Sequence, residues 1–91
     1  MKKSPKSDIE LYVINRVKEM RVAHQLSQED LALFLDIHRS FIGLVESRCN
    51  PEKYNLNHLN ILAKELGCSP KDFLPDEPIL STSKKKKVNR N

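Results

Sequence analysis

The side chains able to make or break bonds are few and scattered. Three histidines (His24, His38, His58) and two cysteines (Cys49, Cys68) are present. None forms a recognisable nucleophile elbow, and there is no glycine-rich phosphate loop. Cys49 and Cys68 lie 19 residues apart, with no CxxC and no HxxxH spacing. Zinc needs four ligands at constrained spacing, and Cys49, His58 and Cys68 offer an incomplete set. No metal, no other cofactor and no enzymatic activity are expected. Two free thiols fit a reducing cytoplasm.

Recognition chemistry is legible in the stretch Leu26–Glu46, LSQEDLALFLDIHRSFIGLVE. Its second half predicts a short helix over 39–47. At about 100° per residue, Phe41, Ile42 and Val45 share one apolar face. Arg39, Ser40, Gly43, Leu44 and Ser47 fall on the other. A helix kept merely soluble would carry Glu, Lys and Gln there. Gly43 costs about 1 kcal/mol relative to alanine in a helix interior. One planar cation, two hydroxyls, a glycine and an isolated apolar side chain suit a surface that something approaches closely. Glu46 borders the core side of this helix, and Arg21 borders the core side of the first. A buried Arg21–Glu46 pair would tie the two helices together, and removing one partner would cost about 3–5 kcal/mol.

The elements around this unit are all helical. Ser7 and Glu10 make a capping box that opens a helix to about Ala23, with Ile9, Val13, Val17 and Met20 as its apolar stripe. Ser27 and Asp30 open a second helix, Gln28 to Leu35, which Asp36 stops by tolerating the left-handed conformation. His38 stands at the N-cap of the third. Pro51 keeps 48–54 a loop. Asn55 caps a fourth helix with Leu56, Leu59, Leu62, Ala63 and Leu66 on its apolar face, and Gly67 ends it. Ser69, Pro70 and Asp72 open a last short helix through Phe73 and Leu74.

Ninety-one residues make one small domain. The predicted fold class is all-α, five helices over 8–80 with the helix-turn-helix at 28–47. A flexible basic arm at 1–7 and a disordered Lys-rich tail at 81–91 flank it. No run of 18 apolar residues crosses a membrane, and MKKSPKSD leads into no apolar signal segment. The net charge of +4 conceals a division: residues 8–80 carry eight basic and twelve acidic residues, a net −4, while the tails hold the other eight basic residues. A nucleic-acid binder normally shows a basic footprint, so here it must come from one face or from the tails.

The segments NRVKEMR, LSQEDLALFLDI, HRSFIGLVESRCNP and LNILAKELGCSPKDFL, in that order and spacing over about 14–74, resemble the Cro/C1-type helix-turn-helix family. That family comprises lambda repressor-like and xenobiotic-response-element-type regulators. The resemblance implies a sequence-specific regulator that binds double-stranded DNA as a homodimer on a two-fold operator, with helix 39–47 in the major groove. Arg39, Ser40, Gly43 and Leu44 match its base-facing positions. Gln28 matches its phosphate-contacting glutamine; Ser47, Arg48, Asn50 and Lys53 fall near its second phosphate contact. Arg21 and Glu46 match its interhelical ion pair. The chain departs from the pattern in having Asp36 and Arg48 where glycines are common, His38 in place of Ser or Thr, and a longer loop around 51–54. Leu33 and Phe34 are apolar where the family is often charged, which leaves a second reading: an antitoxin-type module that binds a protein partner, a toxin, and autoregulates.

Overall fold

Each helix begins where a side chain can take up its orphaned N–H groups. In the computed structural model, which describes residues 4–80, α1 (Asp8–Ala23) and α2 (Gln28–Leu35) start at complete capping boxes on Ser7/Glu10 and Ser27/Asp30. α3 (Arg39–Glu46) starts at His38, whose ring nitrogen accepts from the Ser40 N–H. α4 (Leu56–Leu66) starts at Asn55, boxed by His58. Ser69 and Asp72 box a final turn, Pro70–Phe73, which is a single 3₁₀ turn. The fold is all-α, with four α-helices and that turn where five helices were expected; two prolines, Pro75 and Pro78, follow within five residues and stop further winding.

Three helices end alike. Gln25, Asp36 and Gly67 take left-handed backbone conformations, with φ of 60°, 58° and 73°. The residue after each returns an N–H to the carbonyl five back: Leu26 to Arg21, Ile37 to Ala32 and Cys68 to Ala63. This is the Schellman arrangement, and in α2 it makes the tight turn into α3. α3 ends differently. Ser47 is extended (φ −89°, ψ 129°), so the helix stops at Glu46, one residue short of expectation.

The core joins Val13, Ile14 and Val17 of α1 to Leu31, Ala32 and Leu35 of α2, Ile42 and Val45 of α3, and the buried face of α4, with Phe73 closing it. α2 packs on both α3 and α4, while α1 packs on α3 and the 3₁₀ turn. The expected stripe of α1 is rotated. On the wheel Val17 lies between Val13 and Ile14, and these three are buried; Ile9 and Met20 fall together at the edge, Ile9 exposed and Met20 half-buried. Leu56, expected on the apolar face of α4, is 81% exposed, because it is the first residue of the helix and lies at the margin of the face centred on Leu59 and Leu62.

The segment expected to be a flexible arm at 1–7 is docked in its described part. Lys6 is 5% exposed. Its ammonium donates to the carbonyls of Leu44 (3.2 Å), Val45 (2.5 Å) and Ser47. Ser4 donates to the Arg48 carbonyl. The tail at 81–91 lies outside the described residues.

His58 is expected to make the fold sensitive to acid. Its Nδ1 accepts from the Asn55 N–H at 3.0 Å, and the ring packs against Phe41 and Tyr54 with centroids 5.5 and 6.0 Å away. Burial lowers its pKa below the ordinary 6.5. The unfolded chain therefore binds the proton first. Stability is complete above that value and falls as pH drops through 6.5 to the folded pKa. Melting temperature should be lower at about pH 5 than at about pH 7.5. His58→Gln, whose amide can keep the capping box, should remove part of that drop. An unchanged drop would exclude His58 as its source.

Candidate nucleic-acid interface

The outer face of α3 is presented by the inner one. With Ile42 and Val45 fully buried, the helical period leaves Arg39, Ser40 and Leu44 outward, all exposed. Among the described residues Arg39 makes no ion pair. The Ser40 hydroxyl lies 2.8 Å from His38 Nδ1, so the cap also orients a side chain of the outer face.

Gly43 lies between them, half-buried. A Cβ built there would meet the Gln28 Oε1 at 3.6 Å, an ordinary contact. Nothing inside the chain forbids alanine at this position.

Behind α3 stands a polar network. Arg21 Nε donates to Glu46 Oε2 at 2.9 Å and Nη2 to Oε1 at 3.1 Å, a bidentate pair. The two side chains are 12% and 4% exposed. Arg21 Nη1 donates to the Leu26 carbonyl at 2.8 Å, and Gln28 Nε2 donates to Glu46 Oε1 at 3.0 Å. The network ties α1, the entry to α2 and the end of α3 together. Tyr54, buried nearby, has a phenol pushed up by burial and by the Glu46 charge.

The residues expected at phosphates are more dispersed. Arg48 is exposed just past the end of α3. Gln28 is half-buried, with one amide hydrogen used by Glu46. The Ser47 hydroxyl accepts from the Cys49 N–H and from the Asn50 amide, so these two side chains hold the loop. Lys53 reaches across to Glu10 at 2.7 Å, and this pairing holds the Glu10 carboxyl below its ordinary range. Arg39, Ser40, Gly43 and Leu44 thus share one face. Lys53 sits apart, committed to α1. The sequence reading missed Lys6 on the carbonyls of α3 and Gln28 on Glu46. The first joins residues about 40 apart and left no local signal; the second was implicit once Glu46 was placed on the inner edge of α3.

Among the described residues no group of three or more His, Cys, Asp or Glu side chains could hold a metal ion. No helix there is long and apolar enough to cross a membrane. Cys49 and Cys68 are free thiols.

The pattern of the Cro/C1-type helix-turn-helix DNA-binding domain matches residues 16–78. The control protein C.BamHI of Bacillus amyloliquefaciens is 31% identical over 81 residues, spanning 88% of this chain and 98% of that protein. The restriction-modification controller protein C.AhdI from Aeromonas hydrophila superposes with a TM-score of 0.59 at 32% identity, over 70% of this chain and 96% of that one. A hypothetical transcription factor from Neisseria, NHTF, shares the fold at a TM-score of 0.65 and 22% identity, over 82% and 85% of the chains. The match over residues 16–78 and these relatives show that the chain belongs to the Cro/C1-type helix-turn-helix family as a DNA-binding transcriptional regulator.

Proposed function

We propose that α3 is the recognition helix and enters the major groove. Arg39 bonds guanine O6 and N7, Ser40 reaches a base edge, Leu44 meets a thymine methyl, and Gly43 lets the backbone approach. Arg48 and Gln28 neutralise or bind phosphates, the latter with its remaining amide hydrogen and the N-terminus of α2. Ser47 and Asn50 hold the loop that carries Arg48, and Lys53 joins only by leaving Glu10. The observation that carries this reading is Gly43. Alanine would fit in ordinary contact with Gln28 Oε1 and would strengthen the helix by about 1 kcal/mol, so helix stability does not select glycine here, and a close approach to the backbone from outside the chain accounts for it.

One such domain spans about half of a two-fold site, so the active species is a homodimer on a symmetric operator. The likeness to a control protein and to a restriction-modification controller protein supports a role in setting expression of a restriction-modification gene set. It does not favour the antitoxin reading. Selecting bound duplexes from random DNA with the purified protein should return one sequence with two-fold symmetry; no enrichment would sink the proposal.

The acidic body needs help to approach DNA. Residues 81–91 hold five basic side chains, Lys84 to Lys87 and Arg90. Each phosphate they neutralise adds about −0.9 to the slope of log affinity against log salt. Deleting 81–91 should flatten that slope, and an identical slope would mean the tail is idle.

A further inference from the structure

α1, α2 and α4 end with a left-handed residue whose neighbouring N–H groups return to the last carbonyls. α3 ends in an extended serine, with Arg48 after it. The chain's own backbone returns two bonds there, from the Ser47 N–H to the Leu44 carbonyl at 3.2 Å and a long one from the Asn50 N–H to the Ser47 carbonyl at 3.5 Å, and none reaches the Val45 carbonyl. The last carbonyls of any helix need partners, and they carry its negative pole.

At α3 the partner is Lys6. Its ammonium sits on the carbonyls of Leu44, Val45 and Ser47, and the Ser4 hydroxyl on that of Arg48. Burial pushes the Lys6 pKa down, while Glu52 and Glu10 act the other way. A buried lysine surrounded by three acceptors is held at every hydrogen it can donate. It is therefore not a free charge on the surface available to DNA.

We propose that Lys6 is a positioning residue for DNA reading, a cation clamp that replaces the missing C-terminal cap of α3 and fixes the pitch of Leu44 and the exit of Arg48. The proposal rests on the reading that α3 meets the bases. α3 has eight residues, so its last turn includes half of the base-facing set, and a frayed end would release Leu44 and redirect Arg48. Lys6 then acts on sequence preference through the protein and not by contact with DNA.

The test uses the full chain, a duplex carrying the sequence selected by the wild-type protein, and a scrambled duplex of the same length. Lys6→Met removes the ammonium and keeps the reach. Lys3→Ala, with the same loss of charge, is the control. The expected result is a fall of about tenfold in affinity for the selected duplex in Lys6→Met, the size of one loosened base contact, with affinity for the scrambled duplex falling no further than in Lys3→Ala. Equal losses on both duplexes would make Lys6 a phosphate contact and overturn the proposal. So would a lower melting temperature with an unchanged ratio of affinities, which is what a merely stabilising lysine gives. Should Lys6→Met fail to fold, Lys6→Gln, a weaker donor in the same place, is read by the same ratio. Arg39→Ala run beside them separates the two readings. An unchanged ratio there removes α3 from the groove and takes the Lys6 role with it. A changed ratio there, with none in the Lys6 variants, removes the Lys6 role alone.

Discussion

Glu46→Ala is expected to remove about 3–5 kcal/mol of folding free energy. The side chain is 4% exposed and accepts three hydrogen bonds, two from Arg21 and one from Gln28. Its loss leaves the Arg21 guanidinium, on a side chain 12% exposed in the intact fold, with the Leu26 carbonyl as its remaining partner. A buried charge stripped of its counter-ion carries its whole desolvation cost, and that cost exceeds what the intact pair contributed. Domains of this size have about 5–15 kcal/mol in total, and each kcal/mol is worth about 4–8 °C of melting temperature, so the variant should melt at least about 12 °C below the intact protein. Urea denaturation followed by circular dichroism measures the effect; a loss under about 1 kcal/mol would show that water reaches the pair. The double variant Arg21→Met, Glu46→Leu should recover most of the stability, because an apolar replacement of both partners removes the penalty together with the pair. It should not recover full DNA affinity, since Gln28 would have lost the acceptor that orients it.

Arg39→Ala carries the largest expected effect on function. The side chain is exposed and makes no ion pair among the described residues. Alanine is also the better helix former, so the melting temperature should hold or rise slightly. DNA affinity should fall by about 1–3 kcal/mol, and sequence preference should relax at one base pair of each half-site. Those two readouts together distinguish a guanine contact from a phosphate contact, which would weaken all sequences alike and reduce the salt slope by about 1. A variant that keeps both affinity and preference would remove Arg39 from the reading face. Comparing it with Glu46→Ala separates a residue that touches DNA from one that holds the touching residue still.

Much of this was legible from local patterns. Capping boxes at Ser7, Ser27 and Ser69 act within three residues, and the αL stops at Asp36 and Gly67 act within one turn. Periodicity placed Ile42 and Val45 inward and Arg39, Ser40 and Leu44 outward. The left-handed Gln25 escaped notice because glutamine has no special tolerance for that conformation; it is held there by the Leu26 and Gln25 N–H groups returning to Arg21 and Val22. The offset of α1 was also hidden. A stripe of four apolar residues marks a face, but which part of the face meets the core depends on where α3 and Phe73 come to rest.

The residues expected at phosphates show the same boundary most clearly. From sequence, Ser47, Arg48, Asn50 and Lys53 look alike: polar residues in one loop. In the fold Arg48 is exposed, Ser47 and Asn50 bond each other, and Lys53 is engaged by Glu10, 43 residues earlier. Lys6 looked like part of a solvated basic arm and is instead buried on α3. By itself the sequence determined the four α-helices and their N-caps, the stops at Asp36 and Gly67, the inner and outer sides of α3, and the family, because those depend on residue type at short separation. Which polar side chains remain available to DNA was decided only by the tertiary structure. A polar or charged group is free or committed according to what lies within about 3 Å of it, and for Lys6, Gln28 and Lys53 those neighbours come from distant parts of the chain.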